Sequence, residues 1–381
     1  MTSRSTPVLE GARALDDIPL NDLGRGFAAL ETELRGAVDQ VLTSGWYVLG
    51  PQHDAFEREF AAATGAAHCV GVANGTDALE LALLGAGCRP GDEVVTAANA
   101  GMYTATAARK AGLVPRFADV APDTLLLTAA TVEPALTPRT RAVVVTHLYG
   151  RLADVGPLRD LCRAAGVALV EDCAQAAGAT GPEGPAGSLA DIAAFSFFPT
   201  KNLGALGDAG AVVTSDPDRA ALVRRLGQYG WSSKYTVSEP NGRNSRLDEL
   251  QAAVLRVKLP HLAGWNARRR EIVARYADAL GSGPRRMVHG ADAGSPAYVG
   301  HLAVVSGPDR EGDRAVLAEA GIRTDVHYPV PDHRQPVLAG ATAGLSLPVT
   351  ERAATEILTL PCFAEMTETE IERVFDVLRR L

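Results

Sequence analysis

The chain has no C-x-x-C pair, no basic run of five or more, and no apolar run of membrane length in its 381 residues. Its five cysteines (Cys69, Cys88, Cys162, Cys173 and Cys362) are dispersed and odd in number. That pattern fits reduced thiols in a cytoplasm better than a disulfide framework. The N-terminus lacks a charged segment followed by an apolar core, so no secretory leader is expected. A net charge of −8 argues against a nucleic-acid surface, although local fields can still favour a small anionic substrate. The eight histidines show no metal-ligand spacing, and no G-x-S-x-G is present. No G-x-G-x-x-G follows a strand, which disfavours a nicotinamide enzyme. These absences predict a cytoplasmic protein with no metal and with neither nucleic acid nor membrane as partner.

Lysine is scarce as well. Only Lys110, Lys201, Lys234 and Lys258 occur, so 33 of the 37 basic residues are arginine. A lysine that arginine has not replaced is a better candidate for work that needs an amine. Lys201 follows the apolar run Ile192–Phe198 and precedes the glycine-rich turn Gly204–Gly210. Burial at the end of a strand would lower its pKa and make the neutral, nucleophilic amine accessible. The competing reading is a lysine that ends a strand and reaches out to water.

At 46% hydrophobic and 22% charged residues, the composition is that of a globular protein, long enough for two domains. An extended arm is expected for residues 1 to about 19. A helix capped at Asn21-Asp22 then runs to the low 40s, and a second spans about Gln52 to Ala63. Phe56 and Phe60, spaced i, i+4 on that second helix, read as core. From His68 onward, near-continuous apolar strands alternate with helices. The strands lie at 69–73, 94–96, 116–118, 142–147, 167–172 and 211–214. This predicts an α/β fold whose mostly parallel sheet is covered on both faces. Past Leu250 the character shifts to an arginine-rich helical stretch and a smaller α+β portion holding His301, His327 and His333. We place the boundary near residue 255, giving a large domain (1–255) and a small C-terminal one (256–381).

Several groups could carry chemistry. Asn74-Gly75-Thr76-Asp77 joins a strand to a helix, where glycine and the helix dipole favour an anion; it could equally be a plain N-cap. Glu171-Asp172 ends a buried strand with two carboxylates, at the sheet edge where α/β proteins hold ligands. Such a carboxylate needs a cationic partner, for which a protonated heterocycle would serve, or else it forms a structural salt bridge. Tyr103 follows a small-residue turn and could stack on a flat ring or pack in the core. Together, a phosphate cradle, a stacking aromatic, a carboxylate for a ring nitrogen and a lysine match what pyridoxal 5′-phosphate (PLP) requires.

Asn74–Leu79, His147–Gly150, Glu171–Ala176, Ser196–Lys201, Asn244–Arg246 and His327–Pro329 occur in an order and spacing that resembles the DegT/StrS-type nucleotide-sugar aminotransferases. The resemblance runs from about Pro19 to the C-terminus. It implies an aspartate-aminotransferase-like fold (fold type I) and a homodimer with its sites at the subunit interface. In that frame Lys201 is similar to the Schiff-base lysine and Asp172 to the partner of the pyridine nitrogen. Gln175 would meet the ring hydroxyl, and Tyr103 would stack on the ring. Gly75, Thr76 and Ser196 would hold the phosphate, Asn244 would reach the phosphate in the neighbouring subunit, and His327 would lie near the sugar. Where many members carry a Thr-Phe pair, this chain has Ala100-Gly101-Met102-Tyr103, the turn of a subgroup. The implied reaction is transfer of an amino group, with L-glutamate as donor, to a TDP-linked keto-deoxyhexose in antibiotic deoxysugar biosynthesis, with C3 favoured over C4. Competing readings are a pyridoxamine-dependent sugar dehydratase, which has histidine in place of the lysine; a non-catalytic regulatory relative; and a lysine aldolase on a barrel.

Overall fold

A computed structural model describes residues 17–381; residues 1–16 of the expected N-terminal arm lie outside this range. The centre is a seven-stranded sheet made of β1 (His68–Val72), β2 (Glu93–Ala97), β3 (Val114–Ala118), β4 (Thr140–Thr146), β5 (Ala168–Asp172), β6 (Ile192–Ser196) and β7 (Gly210–Thr214). The spatial order is β1-β7-β6-β5-β4-β2-β3. Six strands run in one direction, and β7 runs against both of its neighbours. The strands are Val- and Ala-rich because both faces are covered. Val94, Val144, Val170, Ala194 and Val212 pack under helices on one side. Val95, Val143, Val145, Phe195 and Val213 join the main core on the other.

Phe56 and Phe60 belong to that main core. They lie on helix α3 (Pro51–Thr64) and meet Phe195 and Phe197 edge-on, with centroids 4.9 to 5.4 Å apart. Such edge-to-face contacts add about 1 kcal/mol each to the burial itself. Phe195 and Phe197 therefore anchor β6 and its extension, and the alternation along the chain turns Ser196 and Phe198 to the opposite side.

The helix expected from Asp22 to the low 40s is two helices, α1 (Leu23–Ala29) and α2 (Glu31–Ser44). Asp22 caps α1 as expected, accepting the Gly24 N–H at 3.0 Å. Leu30 leaves helical geometry (φ −127°, ψ 22°) and buries itself with Leu34 against Val254. Tertiary packing here overrides a continuous helical pattern.

The arginine-rich stretch is likewise divided, into Glu249–Lys258 and Leu262–Leu280, with a 3₁₀ turn at Pro260. Beyond it lies a second, three-stranded antiparallel sheet of Arg286–Met287, Ala303–Ser306 and Ile357–Leu360. Helix Leu262–Leu280 packs against the last helix, Glu368–Leu378. The molecule thus has a large α/β part and a smaller α+β part.

Candidate active site

The carboxyl ends of β1, β2, β4, β5 and β6 converge on one sheet edge, and a cavity of about 690 Å³ opens there. Parallel α/β sheets hold ligands at this edge. The C-terminal portion closes the opposite wall with His301, His327 and Tyr328.

Helix α4 (Gly75–Gly85) points its N-terminus into the cavity. Asn74 is its N-cap and accepts the Asp77 N–H at 2.8 Å. A Cβ on Gly75 would lie 2.5 Å from the Ser196 Cβ, and one on Gly210 would lie 2.5 Å from the Asn74 carbonyl oxygen. Only glycine fits these two positions without displacing the backbone. Gly75, Thr76 and Ser196 therefore share one concave wall, with backbone N–H groups and two hydroxyl-bearing residues, suited to a phosphate.

The Glu171-Asp172 pair splits by strand alternation. Asp172 lines the cavity, accepting the Thr146 hydroxyl at 3.1 Å and the Ala174 N–H at 3.1 Å. Burial raises its pKa, opposed by those hydrogen bonds and by the nearby Lys201 charge. Two engaged oxygens and a cationic neighbour favour a carboxylate that awaits a cation.

Glu171 points the other way and is fully buried. It accepts the N–H groups of Gly187, Leu189 and Ala190 at 2.8 to 3.1 Å. His147 donates to it through Nε2 at 2.9 Å, because His147 Nδ1 accepts the Ala153 N–H at 3.1 Å. Glu171 is thus structural, though it is held by a neutral histidine and backbone N–H groups and not by the salt bridge foreseen. Ligand-type atoms of His147, Glu171 and Cys173 lie within 4.8 Å of one another, but the histidine and carboxylate atoms are already engaged in this network.

Lys201 sits five residues beyond β6, in a turn tied by Lys201 N–H to Phe198 O and Ala205 N–H to Phe197 O, each 2.8 Å. Gly204 closes this turn where a Cβ would come within 2.3 Å of the Pro199 carbonyl oxygen. Burial lowers the lysine pKa to about 8, with Asp172 pulling the other way. At physiological pH most of the amine is still cationic, but the neutral, nucleophilic fraction is far larger than for an ordinary lysine.

Gln175 is oriented by Tyr149, whose N–H donates to Gln175 Oε1 at 2.6 Å; its Nε2 then donates to the Tyr328 hydroxyl at 3.3 Å. Tyr103 begins helix α5 (Tyr103–Lys110), is 49% exposed on the cavity wall, and meets the Tyr328 ring edge-on at 6.1 Å. His327 lines the cavity on the C-terminal side, with Nδ1 2.9 Å from the Thr359 hydroxyl, and burial lowers its pKa. Of the site residues expected from the sequence, Asn244 alone is absent from this wall. It is exposed, on a segment bridged to Gln228. Sequence reasoning assigned no role to Thr146, Tyr149, Tyr328 or His301. Tyr149 and Tyr328 lay inside the recognised motifs His147–Gly150 and His327–Pro329, whereas Thr146 and His301 take their places only through the tertiary fold.

The model of the DegT/DnrJ/EryC1/StrS aminotransferase family matches residues 29–379. The chain belongs to this family. This aminotransferase is 43% identical, over 95% of its length and 99% of the relative's, to the erythromycin biosynthesis sensory transduction protein EryC1 of Saccharopolyspora erythraea. It is also 43% identical to the dTDP-3-amino-3,4,6-trideoxy-alpha-D-glucose transaminase of Streptomyces venezuelae, covering 95% of each chain. The crystal structure of S. venezuelae DesV in complex with a ketimine intermediate superposes with a TM-score of 0.91 and 41% identity, over 96% of this chain and 98% of that one. The fold is that of the type I PLP aminotransferases, and the cofactor is PLP. The cavity agrees with that cofactor, since the glycine-lined cradle, Asp172 and Lys201 surround one space.

Proposed function

We propose that this PLP-dependent nucleotide-sugar aminotransferase converts a TDP-linked 3-keto-deoxyhexose into its 3-amino sugar, with L-glutamate as amino donor, in an antibiotic deoxysugar pathway. The observation that carries the reading is Lys201, pKa near 8, sharing a cavity with Asp172 and the glycine-lined cradle. Support for the C3 position comes from the S. venezuelae relative, which is named for a 3-amino sugar.

PLP, when bound, supplies an aldehyde for the lysine amine and a cationic ring that accepts an electron pair. Gly75, Thr76 and Ser196 hold its phosphate, and Tyr103 covers its ring. Asp172 stabilises the proton on the ring nitrogen, and the buried setting strengthens that pairing. Gln175 Nε2 donates to the ring hydroxyl oxygen. Lys201 Nζ takes the proton from the donor's Cα in the first half-reaction and delivers a proton to the sugar carbon that gains the amine in the second. His327 borders the sugar. Asn244, exposed and away from its own chain's cavity, reaches the phosphate bound by a partner copy. The protein is therefore a homodimer in this reading, and the exposed Trp46, Tyr47, Leu206 and Tyr235 supply apolar surface for the contact. The division near residue 255 falls within helix Glu249–Lys258. The five free thiols support a cytoplasmic location.

Incubating the purified protein with L-glutamate and TDP-linked 3-keto or 4-keto sugars, then locating the new amine by NMR, tests this reading. Amination at C3 is expected. Amination at C4 alone would move the assignment to the 4-keto class. No turnover with either would favour the regulatory role suggested by the EryC1 name.

A further inference from the structure

The turn that presents Tyr103 is not held by its own residues. Met102 occupies the N-cap of α5 in left-handed geometry (φ 67°), and no side chain from the turn caps the helix. That backbone conformation costs a non-glycine residue about 1 kcal/mol and needs outside support. The support comes from 230 residues away. Asp332 Oδ1 accepts the Met102 N–H at 2.8 Å, and the Asp332 N–H donates to Ala98 O at 2.7 Å. The same segment brings Tyr328 against the turn, where a Cβ on Gly101 would come within 2.9 Å of its ring. Asp332 is only 1% exposed, so this contact is dry.

We infer that Asp332 is a positioning residue for the amination reaction, acting as a remote cap that fixes the Tyr103 ring over the cofactor and ties it to the segment bearing His327 and Tyr328. The inference rests on the reading of this cavity as the PLP site. Burial pushes the Asp332 carboxyl up to about 7, against the pull of the Met102 and Gly101 N–H groups. Either protonation state leaves an oxygen to accept from Met102, so the cap requires an acceptor and not a charge.

A double-mutant cycle on the full chain tests this, with PLP affinity and visible circular dichroism of the bound cofactor as readouts. Asp332→Ala should weaken PLP binding about tenfold, the equivalent of one buried hydrogen bond, and reduce the dichroic band. In a Tyr103→Ala background the same change should cost about twofold or less, because the ring it positions is gone. Asp332→Asn, which keeps the acceptor oxygen, should restore affinity and dichroism to near the parent values. Equal losses in both backgrounds, or no loss in either, would overturn the inference. So would an Asp332→Asn protein as impaired as Asp332→Ala. Failure of the parent protein to bind PLP through Lys201 would instead defeat the underlying site assignment, and the inference with it.

Discussion

Replacing Glu171 by glutamine should destabilise the fold while leaving the cofactor pocket chemically complete. Glu171 Oε1 accepts from Leu189 and Ala190, and Oε2 from Gly187 and His147. An amide keeps one acceptor oxygen and replaces the other with an NH₂ donor. Two donors then face a donor whichever way the amide turns, and His147 cannot simply exchange its proton because Nδ1 is held by the Ala153 N–H. Each buried, unsatisfied group costs about 1–3 kcal/mol, so a loss of about 4 kcal/mol is expected. With an unfolding entropy of about 2.1 cal/mol/K per residue, this chain changes by about 0.8 kcal/mol per degree, so the midpoint should fall by about 5 °C. Differential scanning calorimetry of the PLP-loaded protein reads the shift, and cofactor absorbance at 25 °C should match the parent. A midpoint within about 1 °C of the parent would refute the structural role assigned to this carboxylate.

Lys201→Met should stabilise the cofactor-free protein at neutral pH by up to about 3 kcal/mol, because the folded-state pKa near 8 lies below the ordinary 10.5. The sign follows from proton counts. The folded state resists protonation, so the penalty is full below pH 8, shrinks between 8 and 10.5, and vanishes above; denaturant titrations across that range should converge. Gly75→Ala should weaken PLP binding by more than tenfold without unfolding the chain, since its Cβ would crowd Ser196 at 2.5 Å. Fluorescence titration with PLP checks this, and unchanged affinity would contradict the cradle.

The sheet was legible in the sequence because buried parallel strands are written as continuous Val/Ala runs, and all six expected strand regions formed strands, with ends shifted by a residue or two. The place of the lysine turn was legible, at the end of a buried strand leading into glycines, but that stretch alone left open whether the amine is buried or reaches out to water. Other features were not. The break at Leu30 depends on what Leu30 packs against, and helical periodicity does not encode that. Glu171 and Asp172 look alike in sequence and differ only by the face of β5 on which each falls. Asp332 and Met102 are joined through the folded chain alone, so no local pattern could announce the pairing.

The wall that would grip the cofactor hangs from strand ends and their first helical turns, whereas the opposite wall, proposed to meet the sugar, comes from a C-terminal segment with few regular elements. Exchanging His327 and its neighbours, with Tyr328 and Asp332 kept, would therefore retune which hydroxyl or keto group is admitted while the lysine, its acid and the glycine cradle stay in place. New sugar preferences in this architecture would then arise by editing one wall of the chamber, with the reactive machinery inherited unchanged.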